Sequence, residues 1–250
     1  MTIPPSPNPP GTLNELFLGA IARYRDRPVA MRWKPAGAGW TPISFQQLLE
    51  RVRSTSLALA NLGVKRGDRI AILSENRPEW AYADLATLCA GALDAPIYPS
   101  LTPAQVLYIL NDSGAKVIFV SNAAQAAKVA EVRAQATHLE HVVTMDPINA
   151  PDAVSLEAVC AEGRRALEKD PQAVRQRAAE AKPEDVATLI HAHPTQNEAM
   201  GILPDLRGTI KSVAITRSCC PPFTMSPPCT KISSVLETFS IASSPTFPVS

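Results

Sequence analysis

Charge is scarce in this chain: 19% of its 250 residues are Asp, Glu, Lys or Arg, and 24 basic against 23 acidic groups leave a net charge of +1. A nucleic-acid partner calls for a basic patch or stripe, and the balance argues against one. No run reaches the roughly 18–20 apolar residues that span a bilayer. Residues 1–12 are Pro-rich and uncharged, without the basic start and apolar core of an export signal. The chain therefore reads as cytoplasmic and soluble, with peripheral membrane contact left open. Cysteine is sparse as well, five in all, too few in a chain this long for a disulfide framework. Cys89 and Cys160 stand alone in apolar helical contexts, where a buried free thiol is the expectation. There is no Gly-x-Gly-x-x-Gly, no Gly-x-x-x-x-Gly-Lys-Ser/Thr and no Gly-x-Ser-x-Gly. A Rossmann oxidoreductase, a P-loop NTPase and an α/β-hydrolase are disfavoured accordingly. Glycine, at 11, is outnumbered by 24 prolines, an odd ratio for a compact α/β chain.

What is present alternates. With 46% hydrophobic residues, the length suits one large α/β domain or a domain and a half. Thr12 and Glu15 form a capping-box pattern ahead of a helical repeat from Leu13 to Tyr24. Short strands are expected at 29–33 and 40–44, around the turn-prone stretch 35–39. Ser44 and Gln47 make a second capping box, opening a helix that buries Phe45, Leu48, Leu49, Val52, Leu59 and Leu62 and ends at Gly63. Residues 68–73 suit a buried parallel strand. Asn76 with Glu79, and Pro78 in the first turn, open a helix through Trp80, Leu85 and Leu88. Residues 93–98 form a strand whose Pro96 places it at a sheet edge or an irregular turn. Thr102-Pro103 with Gln105 starts a helix that stops near Gly114. Strands at 116–120, 141–145 and 186–190 and helices at 122–134, 155–168 and 171–181 complete the pattern. Such alternation predicts an α/β fold, a mostly parallel sheet with helices on both faces, whose ligands sit beyond the carboxyl ends of the strands.

Several stretches are specific in order. Trp40-Thr41-Pro42-Ile43-Ser44-Phe45-Gln46-Gln47-Leu48 is followed by Gly63-Val64-Lys65-Arg66-Gly67-Asp68-Arg69-Ile70-Ala71-Ile72-Leu73 and Ser74-Glu75-Asn76-Arg77-Pro78-Glu79-Trp80. Then come Ala90-Gly91-Ala92-Leu93-Asp94-Ala95-Pro96-Ile97-Tyr98-Pro99-Ser100-Leu101-Thr102 and Leu107-Tyr108-Ile109-Leu110-Asn111-Asp112-Ser113-Gly114-Ala115-Lys116. Over residues 12–190 this ordered set resembles the N-terminal portion of the adenylate-forming superfamily, and within it the long-chain fatty acyl-CoA synthetases. The resemblance implies an AMP-forming ligase. ATP activates a fatty acid as its acyl-adenylate, coenzyme A displaces AMP, and magnesium offsets phosphate charge. Its partners would be fatty acid, ATP and coenzyme A.

In that family the strand at 186–190 runs into a Thr/Ser/Gly-rich loop closing on Pro-Lys-Gly, whose backbone N–H groups and lysine hold phosphates. Residues 191–201 here contain one glycine, no lysine and Glu198. The remainder holds two acidic residues, Asp205 and Glu237, with Pro221-Pro222 and Pro227-Pro228 and three of the five cysteines. The expectation is a Pro-rich tail at 1–11, a partial adenylation domain at 12–190, and a low-complexity tail at 191–250 from a shifted frame or a truncated copy, disordered beyond about residue 190. No catalytic, cofactor-binding or metal residue is assigned, and no cofactor is expected of the chain itself; ATP, Mg and coenzyme A belong to the intact family. Two alternatives stay open: a non-catalytic α/β binding module, and a ligase portion specific for another carboxylic acid.

Other constellations read more plainly. His191 and His193 with Cys219, Cys220 and Cys229 could be drawn as a zinc site, but adjacent cysteines suit one tetrahedral ion poorly. The charged run from Asn76 to Trp80 could face a ligand, yet each residue has a helix-starting role. His138 and His141 lack a partner at catalytic spacing. Residues 65–68 read as a solvated turn, and the helices at 155–181 as exposed faces with i,i+4 pairs.

Overall fold

The computed structural model describes residues 11–148, 150, 152–192 and 213–217, residue 192 and the last five by backbone alone. They fall within one unit, Met1–Cys219. A small antiparallel pair, β1 (Met31–Trp33) and β2 (Thr41–Ile43), precedes the main sheet. That sheet contains β3 (Arg69–Leu73), β4 (Leu93–Ile97), β5 (Val117–Val120), β6 (His141–Thr144), β7 (Ala153–Ser155), β8 (Thr188–Ala192) and β9 (Val213–Arg217). Its order is β7-β6-β5-β3-β4-β8-β9, and every neighbouring pair runs parallel.

Strands buried on both faces need continuous apolar sequence. Val117 to Val120 are all fully buried, as are Ile70 to Leu73. One face carries α1 (Leu13–Tyr24), α2 (Phe45–Asn61), α3 (Pro78–Cys89), α6 (Leu156–Lys169) and α7 (Ala173–Ala179), packed on Ile70, Ile72, Val117, Phe119 and Val143. The other carries α4 (Pro103–Ser113) and α5 (Ala123–Val132), packed on Ala71, Leu73, Ile118, Val120 and Val142. The expected α/β class with helices on both faces is the observed one. Cys89 and Cys160 are buried free thiols. Among the described residues no helix is long and apolar enough to cross a membrane.

Local signals hold where they are strong. Ser44 and Gln47 close both bonds of their capping box at 3.1 and 2.8 Å, as do Thr102 and Gln105 around α4. Gly114 ends α4 in the left-handed conformation, φ 64°, which only glycine adopts freely. Thr12 caps α1 through the Glu15 N–H at 3.1 Å, but the Glu15 carboxylate takes the Gly11 N–H rather than that of Thr12.

Three expectations are corrected. Asn76 is exposed and caps nothing; Arg77 is the N-cap of α3, with no side-chain cap bond. The strand carrying Pro96 is interior, between β3 and β8. Leu93 N donates toward β3, to Asp68 O at 2.8 Å, and Asp94 N toward β8, to Ala187 O at 3.1 Å. N–H direction alternates along a strand, so the missing donor of Pro96 falls on the β8 side, and β4 registers with β8 only at Asp94–Thr188. The proline makes a local edge inside the sheet. Finally, β9 lies in the stretch read as lacking any period, and it pairs with β8 from Thr188–Val213 to Ala192–Arg217. The rest of the expected disordered tail lies outside the described residues.

The tightest packing is between α2 and α6. α2 buries small polar residues as well as apolar ones: Ser54, Thr55 and Ser56 are fully buried, as is Leu59. Ser54 returns its hydroxyl to Glu50 O at 2.7 Å, and Thr55 Oγ1 lies 3.3 Å from Cys160 Sγ. Gly163 of α6 sits against the Ser54 carbonyl, where an added Cβ would stand 1.7 Å from the oxygen. The helices meet backbone to backbone.

Candidate functional site

From β3 the chain steps to β4 on one flank, then crosses to β5, β6 and β7 on the other. The strand order thus reverses between β3 and β5, and their carboxyl ends, Leu73 and Val120, open the crevice where such folds place ligands. The loops beyond those ends supply Ser74, Glu75, Arg77, Ser121 and Asn122.

Two linked networks line this crevice. Asn122 caps α5, accepting from Ala124 N at 3.0 Å and Gln125 N at 3.1 Å. Its amide Nδ2 donates to Glu75 at 3.3 Å, and Gln125 Nε2 donates to Glu75 at 3.3 Å and to Pro99 O at 3.2 Å. Lys128, one turn on, donates Nζ to Pro99 O at 2.6 Å and Leu101 O at 2.9 Å, tying α5 to the β4–α4 loop. Burial alone would raise the Glu75 carboxyl, but hydrogen bonds, among them those from Gln125 and Asn122, outweigh it and hold the group below its ordinary value.

The second network centres on Arg77. Its guanidinium meets Glu79 at 2.7 Å, Asp146 at 2.9 Å and Ser121 O at 3.0 Å. One side chain therefore joins the start of α3 to the ends of β5 and β6. Burial opposes its charge, yet the bonds to Glu79 and Asp146 prevail and raise its pKa. Such a fork suits guanidinium and would not survive replacement by lysine.

The arrangement is acidic groups committed to a cation and to amides, with no nucleophile set against a base. Among the described residues no group of three His, Cys, Asp or Glu could hold a metal ion. Magnesium prefers free carboxylates and phosphate oxygens, and Glu75, Glu79 and Asp146 are already engaged. The described residues therefore do not fit a resident metal.

The weighed residues fall as follows. Arg77 and Glu79 do more than start a helix, since they bridge three elements; Trp80 is partly buried against the core. Residues 65–68 are not merely a solvated turn. Asp68, 9% exposed, accepts from Lys65 N at 2.8 Å and Lys116 Nζ at 2.9 Å. Burial pushes its pKa up, and these two partners bring it below the ordinary value. His138 is exposed and His141 half-buried on β6. His191 pairs with Asp112 of α4 at 3.1 Å, and burial lowers its pKa despite that carboxylate. His193, Cys219, Cys220 and Cys229 lie outside the described residues. The exposed charge on α6 is real, but Glu157 reaches Arg51 of α2 at 2.6 Å as well as Arg164 at 2.8 Å. Nothing in the sequence singled out Asn122, Gln125 or Lys128, and Glu75 stood only as part of an ordered motif.

A chain order and sheet of this kind are shared with known proteins. The model of the family described as AMP-binding enzyme matches residues 17–192. The chain belongs to that family. Among its relatives, the long-chain-fatty-acid–CoA ligase heimdall of Drosophila melanogaster is 34% identical over 140 residues, 55% of this chain and 20% of that protein. The long-chain-fatty-acid–CoA ligase FadD15 of Mycobacterium bovis is 33% identical over 162 residues, 65% of this chain and 26% of that protein. The aligned stretch thus spans a fifth to a quarter of these relatives. Two solved structures share the fold. The anthranilate CoA ligase AuaEII in complex with anthranoyl-AMP superposes with a TM-score of 0.59 at 20% identity, covering 70% of this chain and 31% of that one. The acetoacetyl-CoA synthetase from Streptomyces lividans gives 0.55 at 24% identity, covering 59% and 24%. The AMP-binding resemblance drawn from the ordered motifs therefore stands.

Proposed function

We propose that residues 12–190 are the N-terminal part of an AMP-forming ligase that joins a long-chain fatty acid to coenzyme A, and that this chain does not run the reaction by itself. The observation that carries the first half is the 33–34% identity to long-chain-fatty-acid–CoA ligases over 140–162 residues. The second half is supported by residues 191–201, which begin in the last two residues of β8 and contain no lysine and one glycine. A phosphate loop of that kind uses glycines for close backbone approach and a lysine for charge, and this stretch has one glycine and no lysine.

In the intact enzyme ATP, Mg and coenzyme A would join the fatty acid, and a cytoplasmic setting is part of the same proposal. The contribution of this portion is architectural. Arg77 and Glu75 fix the loops at the carboxyl edge of β3, β5 and β6, so that a wall of the ligand crevice is set before any ligand arrives.

The test is pyrophosphate exchange into ATP by the purified chain with palmitate, benzoate or acetate. The expected result is no exchange with any acid above a no-protein blank. Acid-dependent exchange would overturn the proposal, and the acid that supports it would name the substrate. The binding-module reading is distinguished by titrating the chain with a palmitoyl-sulfamoyl adenosine analogue. Saturable micromolar binding without exchange would favour that reading.

A further inference from the structure

The positive charge of this chain is concentrated in one place. Between Ala22 and Ile43 stand four arginines and one lysine against a single aspartate, a local charge of +4 in a chain whose total is +1, so the remaining residues carry −3. Asymmetry of that size points to a charged partner. Arg23, Arg25 and Arg27 belong to the end of α1 and the turn behind it, Arg32 and Lys34 to β1 and the residue after it. The Tyr24 ring packs on Phe45 at 5.9 Å, with the Arg27 guanidinium over it at 4.7 Å, and Ala30 N donates to Ile43 O at 2.7 Å. These contacts hold the helix end and the β1–β2 hairpin to the start of α2. Arg25, Arg27, Arg32 and Lys34 are all exposed, and the one acid, Asp26, lies 3.6 Å from Arg25 with both in solvent.

The hairpin adds an uncharged tip. Residues 35–40 carry no charge, and Ala38 N donates to Pro35 O at 3.1 Å to close the turn. A Cβ added at Gly37 or Gly39 would meet nothing within 4 Å, so the tip stands clear of the body of the protein. Met31 and Trp33 of β1 pack on the core. Trp40 does not, and it is 65% exposed. An indole, apolar in its body and wet at its N–H, is a side chain that membrane interfaces favour. Arginine and lysine beside it lay their stems on apolar surface and keep their charged ends in the polar layer. Single-stranded nucleic acid also stacks on aromatic rings, but along a groove that tracks its backbone; here a single ring stands on a projecting turn.

We propose that the β1–β2 hairpin and the end of α1 dock this protein on an anionic lipid bilayer, with Trp40 entering the interface and Arg25, Arg27, Arg32 and Lys34 meeting the acidic headgroups. Each cation held near an anionic surface is worth roughly fivefold in partitioning. The attraction decays within a Debye length, about 10 Å at 0.1 M salt and about 3 Å at 1 M. Docking of this kind is peripheral and reversed by salt. The inference rests on this surface and not on the ligase reading. Failure of pyrophosphate exchange leaves it untouched.

Tryptophan emission of the full chain tests it, because Trp33 and Trp80 are partly buried against the core and Trp40 is the exposed indole. The chain is titrated with vesicles of phosphatidylcholine alone and of equimolar phosphatidylcholine and phosphatidylglycerol. The expected result is a saturable blue shift with the anionic vesicles only, reversed by about 1 M salt. Trp40→Phe should abolish the shift. The double variant Arg32→Gln with Lys34→Gln should weaken partitioning roughly twentyfold, at an unchanged circular dichroism spectrum. No shift with anionic vesicles overturns the proposal, as does equal partitioning into neutral ones, a shift that survives Trp40→Phe, or wild-type partitioning by the double variant. Tighter binding to a single-stranded oligonucleotide than to the anionic vesicles would also overturn it, in favour of a nucleic-acid partner. If the double variant fails to fold, the headgroup and salt dependence of the wild type still decides.

Discussion

Gly163→Ala should separate two helices whose backbones touch. A Cβ at position 163 would stand 1.7 Å from Ser54 O, 2.4 Å from its carbonyl carbon and 2.8 Å from its Cα. None of these atoms belongs to a flexible side-chain end, so relief requires moving α6 off α2 by roughly 1.5 Å, toward ordinary van der Waals separation. That movement opens the contacts of Thr55, Leu59, Val159 and Cys160, each buried to 3% exposure or less. Overpacking of this kind costs about 1–3 kcal/mol or more, and alanine returns up to about 1 kcal/mol of helix propensity. The net expectation is a loss of about 1–3 kcal/mol in equilibrium urea unfolding. Gly19→Ala is the control: it lies in α1 with nothing within 4 Å of an added Cβ, and should stabilise by up to about 1 kcal/mol. If Gly163→Ala matched or exceeded wild-type stability, the backbone contact and the α2–α6 packing derived from it would be wrong.

Asp68→Asn leaves Lys116 without its carboxylate and should cost about 1–3 kcal/mol at pH 7. Because the folded Asp68 pKa is lowered, its stabilisation is present above the unfolded pKa and lost as pH falls through the folded value; the variant should converge on wild type in acid titrations of stability. Arg77→Ala strands Glu79 and Asp146 at a site where the arginine side chain is 19% exposed. A loss of about 1–3 kcal/mol is expected, with faster amide exchange at the ends of β5 and β6 and no rescue by Arg77→Lys. Ser44→Ala removes a capping box and should cost about 1 kcal/mol, read as a lower urea midpoint at unchanged m-value.

Features written locally in the chain were the legible ones. The capping boxes at Ser44 and Thr102, the glycine stop at Gly114 and the apolar strands at β3 and β5 each follow from a few adjacent residues. What joins distant residues was not legible. Asp68 meets Lys116 across 48 positions, and Arg77 meets Asp146 from another loop; no period or spacing encodes such pairs. The buried face of α2 looked like ordinary apolar helix, and the close approach of Gly163 to the Ser54 carbonyl lies 109 positions away in sequence. Pro96 was read as an edge marker from its chemistry. It interrupts pairing on one side only, which became clear once N–H directions were known. At the candidate site the strand alternation located the crevice, but the groups that fill it come from loop geometry. Neither Asn122 nor Glu75 carried a local mark of that role.

The proposed role of residues 12–190 as the N-terminal part of a fatty acyl-CoA ligase can be tested by exchange. Grafting them in place of the matching stretch of the Mycobacterium bovis ligase, and measuring AMP release with palmitate and coenzyme A, tests it directly. A folded chimera that forms palmitoyl-CoA within about tenfold of the parent is expected, the graft being held together by its own sheet and loop networks. A chimera that folds with the parent's melting profile yet forms no thioester would contradict it.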